Sequence, residues 1–274
     1  MKHCMKKMKW ILSAVCFVGL SLASCNQDPE QTILSESGYG QLSLTLGAEA
    51  NFVQTRAVVE NSYKDVNNYN VVVMDKDGNV RMNCKGSEIA SKMPLTLPIG
   101  GYTVEASYGK EQPVSRDNFY VFGKAEGSIK ANKTEAVTLT CTPTCGRITV
   151  NFDSEMSKYF SNYNVEFFGT KALGDNRFSW EKADKEPWYV KLDEAGEEIG
   201  FTITTTTKEE YVHGNKESVS AKTGTFKLMR NKAYKMNVKV SYNETQTGSV
   251  GIEITIDEST NNIPVDIEVP VDWV

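Results

Sequence analysis

The stretch Gln41-Leu42-Ser43-Leu44-Thr45-Leu46 decides the fold class, because polar residues and leucines alternate strictly along it. This period of two is typical of a β-strand that buries one face and exposes the other. Similar stretches recur through the rest of the chain, whereas helical spacing is confined to two short turns that Ser87 and Ser154 are predicted to cap. The sequence therefore predicts an all-β protein.

Turn-forming residues separate the predicted strands, most clearly at Asp77-Gly78, a pair that is typical of tight hairpins. The predicted strands span residues 41–46, 71–74, 80–84, 95–99, 102–108, 119–122, 125–131, 136–141, 148–152, 165–168, 188–192, 199–206, 223–228, 234–242, 250–256 and 263–271. Many short strands divided by such turns indicate β-sandwiches.

One interruption of the strand pattern stands out, at Thr142-Pro143-Thr144-Cys145-Gly146. We take it as the domain junction and predict two tandem sandwiches, residues 39–145 and 146–274. Each has a common domain size. The polar residues that open segment 25–38 predict a flexible tether before the first sandwich.

The N-terminus has the features of a secretory signal, with four lysines followed by an apolar run over residues 10–22. That run is too short for a membrane-spanning helix, which needs about 20 residues. Leu22-Ala23-Ser24-Cys25 ends it and resembles a lipobox, in which residues 1–24 are removed and Cys25 is lipidated. Acyl chains on Cys25 would anchor the chain to a membrane. The alternative is an ordinary signal peptide followed by a chance cysteine.

Composition excludes several classes of function. The chain has 274 residues and a formal net charge of −5, which becomes −9 (26 − 35) without residues 1–24. No clustered basic surface for nucleic acid is expected from this balance. His213 would be the only remaining histidine, so His-based catalytic or metal sites are hard to build. We predict no enzyme activity, no cofactor and no nucleic-acid partner.

The three cysteines that follow Cys25 are Cys84, Cys141 and Cys145, an odd number that argues against a disulfide framework. Cys141 and Cys145 lie close enough in sequence for a local disulfide. Burial of Cys84 and Cys141 as small apolar residues of strands is the other interpretation. The sequence leaves both open.

A cluster of aromatic residues around Trp180 and Trp188 suggests an alternative function. Exposed aromatic rings can stack on sugars, so the chain could be a glycan-binding surface lipoprotein. The competing interpretation is that both indoles pack into the core of the second sandwich, where they would bury much apolar area.

Several motifs, in their order, resemble the fimbrillin-like lipoproteins of the Bacteroidales, the subunits of type V pili, and most of all a lipoprotein group of unknown function. The motifs are the lipobox at 22–25, GQLSL at 40–44, TRA at 55–57, the strand and turn at 69–78, LPIGGYTVEA at 97–106 and GRITV at 146–150. They cover about half of the chain after Cys25, mostly in the first half. The resemblance implies two transthyretin-like β-sandwiches in an outer-membrane lipoprotein at the cell surface or in a fimbrium.

The resemblance also implies how such a chain assembles. A protease cuts after Arg56, which removes the strand carrying Leu42, Leu44 and Leu46, and a strand from another pilus subunit fills the groove. The C-terminal run offers such a donor within residues 263–273, with Ile263, Val265, Ile267, Val269 and Val271 on one face. The alternative is that this run completes its own second sandwich. An adhesin would also bind a host or bacterial surface ligand.

Overall fold

The computed structural model of the protein describes residues 38–50, 52, 62–211, 218–242, 250–258 and 264–265. These residues form β-strands with a few helical turns, which confirms the predicted all-β class. Cys25, Arg56, Ile263, Ile267, Val269 and Val271 lie outside the described residues, so the predictions made for them remain predictions. No helix among the described residues has the length and apolar character needed to span a membrane.

The strands follow one another with short connections. They are β1 (Tyr39–Ala48), β2 (Asn70–Asp75), β3 (Val80–Lys85), β4 (Leu95–Pro98), β5 (Gly100–Gly109), β6 (Val114–Ser115), β7 (Tyr120–Ile129), β8 (Thr134–Pro143), β9 (Cys145–Phe152), β10 (Phe160–Phe168), β11 (Phe178–Glu181), β12 (Trp188–Lys191), β13 (Glu197–Thr207), β14 (Ser218–Leu228), β15 (Ala233–Tyr242), β16 (Val250–Glu258) and β17 (Pro264–Val265). The helical turns are α1 (Ile89–Lys92), α2 (Met156–Tyr159) and the 3-10 turns Val66–Asn68, Gly86–Glu88 and Glu209–Tyr211.

The first half of the described chain forms a seven-stranded sheet in the order β3-β2-β5-β7-β8-β1-β4. Strands β7 and β8 pair at Val121 and Phe122, and β7 then continues along β5 while β8 continues along β1. Gly123 allows the two strands to pass closely, since a Cβ there would lie 2.8 Å from the Thr140 carbonyl oxygen. One part of the sheet contains β3, β2, β5 and β7, and the other contains β8, β1 and β4. Both parts contribute buried side chains to one core cluster.

The second half is a sandwich of two sheets. A four-stranded sheet has the order β11-β10-β13-β14, and a six-stranded sheet has the order β17-β16-β15-β9-β12-β6. Their inward side chains form a second core cluster, rich in aromatic residues such as Phe160, Phe167, Trp180 and Phe201. Alternation of apolar residues therefore positions this core as it does the first.

The two halves are tied together at the predicted junction. Strand β6, from the first half, pairs with β12 through Ser115 and Tyr189 and so completes the edge of the six-stranded sheet. Only Thr144 separates β8 from β9, and its N–H donates to the Tyr120 carbonyl at 3.0 Å. The division at residue 145 remains a prediction. Strand β6 precedes residue 145 in the chain but belongs to the six-stranded sheet of the second half.

Some local predictions are confirmed and others are wrong. The Asp77-Gly78 hairpin is confirmed between β2 and β3, with Gly78 at a φ of 81°. The two strands predicted at 119–122 and 125–131 are one strand, β7. Ser154 does not cap α2: the Asp153 carboxylate accepts the Glu155 N–H at 2.8 Å instead. Likewise, no side chain caps the turn that contains Ser87.

Candidate strand-exchange site

Strand β1 lies inside the first sheet, between two partners. It runs parallel to β8 over Gln41–Ala48 and Thr134–Cys141, and antiparallel to β4 over Tyr39–Leu42 and Leu95–Pro98. Because β8 pairs with β1 along most of its length, removing β1 would expose a long edge of β8 as well as the short strand β4.

The side chains predicted to face the core do so. Leu42 is fully buried, Leu44 is 7% exposed and Leu46 is partly buried against the same cluster. Val137 and Leu139 of β8 and Leu97 of β4 belong to that cluster. Since complete burial of one leucine contributes about 1.5–3 kcal/mol, these side chains give β1 a substantial share of the stability of the first core.

Backbone hydrogen bonds hold both ends of β1. The Gln41 N–H donates to the Lys133 carbonyl at 2.8 Å, and the Glu49 N–H donates to the Cys141 carbonyl at 2.9 Å. On the other side, the Ile99 N–H donates to the Gly38 carbonyl at 3.0 Å. These groups would be left without their partners if β1 departed, so the vacated groove would be a strong acceptor for another strand.

The groove is closed at the beginning of β1. Gly40 is buried, and a Cβ at this position would lie 2.8 Å from both the Lys133 carbonyl oxygen and Ile129 Cγ2, with the Lys130 carbonyl oxygen closer still. Two of these neighbours are backbone atoms that cannot turn aside. A strand in this groove therefore needs glycine, or its own end, at this point.

Aromatic side chains line the groove at its other end. Ala48 and Ala50 are partly buried against the first core, and Phe52 is 5% exposed. The Phe52 ring meets Phe119 edge to face at a centroid distance of 5.4 Å and contacts Tyr189 at 5.8 Å. We call this position the Phe52 socket. Sequence reasoning missed it, although the alternation that starts at Leu42 does reach Phe52.

Two tyrosines make further contacts with the wall of the Phe52 socket. Tyr63 stacks on Phe119 with ring centroids 3.8 Å apart, and its hydroxyl accepts the Phe119 N–H at 3.1 Å. Burial raises the pKa of Tyr63, which keeps the hydroxyl neutral. Behind it, the Tyr69 hydroxyl donates to the Tyr63 carbonyl at 2.6 Å.

The C-terminal run is described at two residues only. Pro264 and Val265 form β17, whose backbone pairs antiparallel with Asp257 and Ile256 of β16 at the edge of the six-stranded sheet. This pairing is short. The structure does not describe the side chains predicted to act as a donor, so that assignment remains a prediction.

The aromatic pair of the glycan alternative is packed into the protein. Trp180 is 2% exposed in the second core, so its ring is not accessible for stacking on a sugar. Trp188 is partly buried, donates from Nε1 to the Ser179 carbonyl at 3.0 Å, and has the Arg116 guanidinium carbon 4.1 Å from its ring centroid. The core-packing interpretation therefore holds for Trp180, because Phe178 and Trp180 of β11 face the second core and Ser179 between them does not.

The buried thiols form no site of their own. No disulfide joins Cys84, Cys141 and Cys145, all of which are buried. Burial raises the pKa of the Cys141 thiol to about 12, so this group stays protonated and unreactive near neutral pH. Within the described ranges, no group of three or more His, Cys, Asp or Glu residues could hold a metal ion.

Comparison of the sequence with protein families gives a match that includes all of the described residues. The profile of a domain of unknown function, DUF4493, matches residues 38–271. The chain belongs to the DUF4493 family. The family match starts one residue before β1 and includes most of the C-terminal run, so both parts of the candidate site lie within DUF4493. No curated protein matches the sequence.

Solved structures from Parabacteroides distasonis and Porphyromonas gingivalis share a likeness with this DUF4493 chain. A fimbrial assembly protein from Parabacteroides distasonis is 14% identical, with a TM-score of 0.44, over 84% of this chain and 98% of that chain. The fimbrial anchor protein Mfa2 from Porphyromonas gingivalis is 12% identical, with a TM-score of 0.44, over 82% of this chain and 98% of that chain. At these values the names describe those proteins and assign no function to this one.

Proposed function

We propose that this protein is a surface lipoprotein that serves as a fimbrial subunit or adhesin and assembles by protease-triggered strand exchange. One observation carries the proposal: β1, the first strand of the described residues, is inserted between β8 and β4, with Leu42 and Leu44 buried in the first core. Arg56 follows β1 by eight residues, from Ala48 (56 − 48). A cut after Arg56 would sever the covalent link between β1 and the rest of the sandwich.

The proposal explains the positions in the chain of the groove and of the segment that fills it. We call that segment, β1 with the residues that follow it up to Arg56, the plug. The residues that line the groove, in β4 and β8, all follow Arg56 and would be kept after cleavage. The β1 segment and Cys25, with any lipid on it, precede Arg56 and would be released together. Cleavage would therefore detach the subunit from the outer membrane and open its acceptor groove in one step.

The C-terminal run is the proposed donor. It presents five β-branched aliphatic residues at alternate positions, and β-branched side chains suit a pleated surface. The partner is another subunit, which presents its own run to the groove vacated by β1. Lipidation of Cys25 and the outer-membrane location are part of the same proposal.

Controlled proteolysis tests this function. An Arg-specific protease is added to the full chain, and the products are followed by mass spectrometry and size-exclusion chromatography. We expect a new N-terminus at Ala57, release of the β1 segment and ladders of denaturation-resistant multimers. Arg56→Lys is the matched control, since it keeps the charge but resists this protease, and it should remain monomeric.

Two results would contradict strand exchange. One is a wild-type chain that is cut after Arg56, releases β1 and stays monomeric at all concentrations. The other is a chain lacking residues 263–274 that forms the same multimers as the wild type after cleavage.

A further inference from the structure

The groove occupied by β1 has two unlike ends, and this polarity restricts what can replace β1. Gly40 closes one end to any side chain, as the contact with the Lys133 carbonyl shows. Phe52 fills an aromatic socket at the other end, against Phe119 and Tyr189. A replacement strand thus needs aliphatic residues at the inward, alternate positions from Leu42 to Ala50. An aromatic ring at the position of Phe52 would bind it more tightly.

The C-terminal run repeats the inward pattern of β1 and its extension. Each inward residue has an apolar counterpart 221 positions later, from the first (263 − 42) to the last (273 − 52). The counterparts are Ile263 for Leu42, Val265 for Leu44, Ile267 for Leu46, Val269 for Ala48, Val271 for Ala50 and Trp273 for Phe52. Both runs therefore end on an aromatic residue at the same step of the alternation.

We propose that the C-terminal run of a second copy enters the groove in the direction of β1, with Ile263 in the Leu42 position and Trp273 in the Phe52 socket. This assignment rests on the proposed function and adds its register and its aromatic anchor. The donor then begins at Ile263, so Pro264 and Val265 must leave β16 of their own chain, and the chain before Ile263 must turn out of the groove because Asn261 would otherwise reach the Gly40 position (261 − 40 = 221). The reverse direction, with Val271 in the Leu42 position, would bring Trp273 to Gly40, where even a methyl group does not fit.

The residues that form the wall of the socket would be kept after cleavage. Phe119, Tyr189 and Tyr63 all follow Arg56 in the chain, and the stacking of Tyr63 on Phe119 does not involve the segment that would be released. Since Ala48 and Ala50 are only partly buried, the larger Val269 and Val271 can occupy their positions.

In this register the two prolines of the donor remove hydrogen bonds near its ends and leave those at its centre. Gln41 and Glu49 both direct their N–H groups to β8, so the odd-numbered positions of β1 do the same. Pro264 and Pro270 would take positions 43 and 49 and remove one donor each. Asp266 and Glu268, at positions 45 and 47, would keep theirs at the centre of the ladder.

Disulfide trapping in full chains reads the register directly. Thr138 and Thr140 are exposed residues of β8 that pair with Thr45 and Gly47, so the proposed register places Asp266 opposite Thr138 and Glu268 opposite Thr140. Acceptor chains carrying Thr138→Cys or Thr140→Cys are cleaved after Arg56. They are then mixed, under mild oxidation, with chains carrying Asp266→Cys or Glu268→Cys.

We expect inter-chain disulfides between positions 138 and 266 and between 140 and 268, identified by mass spectrometry. Predominance of the crossed pairs, or multimers without any of these disulfides, would overturn the register while leaving strand exchange standing. The absence of both multimers and inter-chain disulfides would contradict the proposed function itself. Uncleaved acceptors, with β1 in place, are the control and should not cross-link.

Substitutions at Trp273 test the anchor. Trp273→Ala should lower the multimer yield at limiting concentration by roughly tenfold or more, because a buried aromatic ring is lost. Trp273→Phe should retain most of it, since the socket accommodates Phe52. Asp272→Ala, one position away on the outward face, is the matched control. A Trp273→Ala chain that multimerises like wild type, or an equal loss in Asp272→Ala, would overturn the anchor.

Discussion

Phe52 meets Phe119 edge to face, with ring centroids 5.4 Å apart and ring planes at 88°. One ring belongs to the segment that would leave after cleavage at Arg56, and the other to the part that would stay. The contact therefore joins plug and groove, and it adds to the energy of the three leucines of β1. Edge-to-face aromatic pairs contribute about 0.5–1.5 kcal/mol beyond the area that they bury.

Phe52→Ala should destabilise the first sandwich by about 3–5 kcal/mol, as is usual for a buried phenylalanine. The cause is the loss of both aromatic contacts and the cavity that remains between Phe119 and Tyr189. Urea unfolding of the uncleaved chain measures the change. Val80→Ala is the control, because Val80 is 58% exposed and its loss should change little. Equal stability of the two variants would show that Phe52 does not anchor the plug.

Gly40→Ala should weaken the docking of β1. The added methyl would press on the Lys130 and Lys133 carbonyls, which are backbone atoms, and overpacking of this kind costs about 1–3 kcal/mol. Hydrogen exchange should become faster at the amides of β1. Gly101→Ala offers a matched comparison, since a Cβ there meets no atom within 4 Å. If exchange in β1 is unchanged by Gly40→Ala, the closed end of the groove is not as rigid as we infer.

Local pattern was enough to predict the strands that carry this site. The alternation at Leu42 and Leu44 predicts which side chains are buried, because side chains on a strand point to opposite faces in turn. The Asp77-Gly78 pair predicts the hairpin for an equally local reason. Both predictions are confirmed.

Long-range relationships could not be predicted in the same way. Nothing in the residues around Gln41 shows that it pairs with Thr134, 93 positions away, or that the two strands run parallel. The need for glycine at position 40 arises from the Lys133 carbonyl, which only the folded chain brings there. Strand β6 is two residues long and shows no alternation, so its pairing beside Tyr189 could not be predicted from the sequence.

Arg116→Ala should loosen the contact between the halves of the chain. The Arg116 guanidinium lies over Trp188, donates to the Glu186 carbonyl at 2.6 Å and forms an ion pair with Asp184. Hydrogen bonds of charged groups contribute about 1.5–3 kcal/mol, and this partly exposed cluster should give about 2 kcal/mol. We expect that loss in urea unfolding, together with a change in tryptophan fluorescence.

Arg177→Ala is the control for Arg116→Ala. Arg177 also pairs with a carboxylate, Glu166, but both side chains are more exposed, at 53% and 37%. Such surface pairs contribute about 0–1 kcal/mol. Arg116→Lys should recover little, because an ammonium group lacks the planar fork that reaches several acceptors while stacking on an indole. Equal effects of Arg116→Ala and Arg177→Ala would show that the cluster does not join the halves.

We expect the hairpin of β2 and β3 to lose stability in acid, because protonation weakens the hydrogen bonds that Asp75 accepts. Hydrogen bonds from the Asn79 side chain, and others from the Asn79 and Asp77 N–H groups and Arg81, lower the pKa of Asp75 to about 2. The unfolded value is about 3.9, so the folded state favours the charged carboxylate. The stabilisation is therefore complete above about pH 4 and is lost as the pH falls through about 2.

Asp75→Asn should consequently be less stable than wild type at pH 6, and the two should converge near pH 2. Hydrogen exchange in β2 and β3 and urea unfolding over this pH range measure the difference. Asp77→Asn removes a carboxylate from the same exposed turn but leaves the contacts of Asn79 and Arg81 with Asp75 in place, so it measures the general effect of one lost charge. A constant difference between wild type and Asp75→Asn from pH 6 to pH 2 would mean that the Asp75 charge does not hold the hairpin.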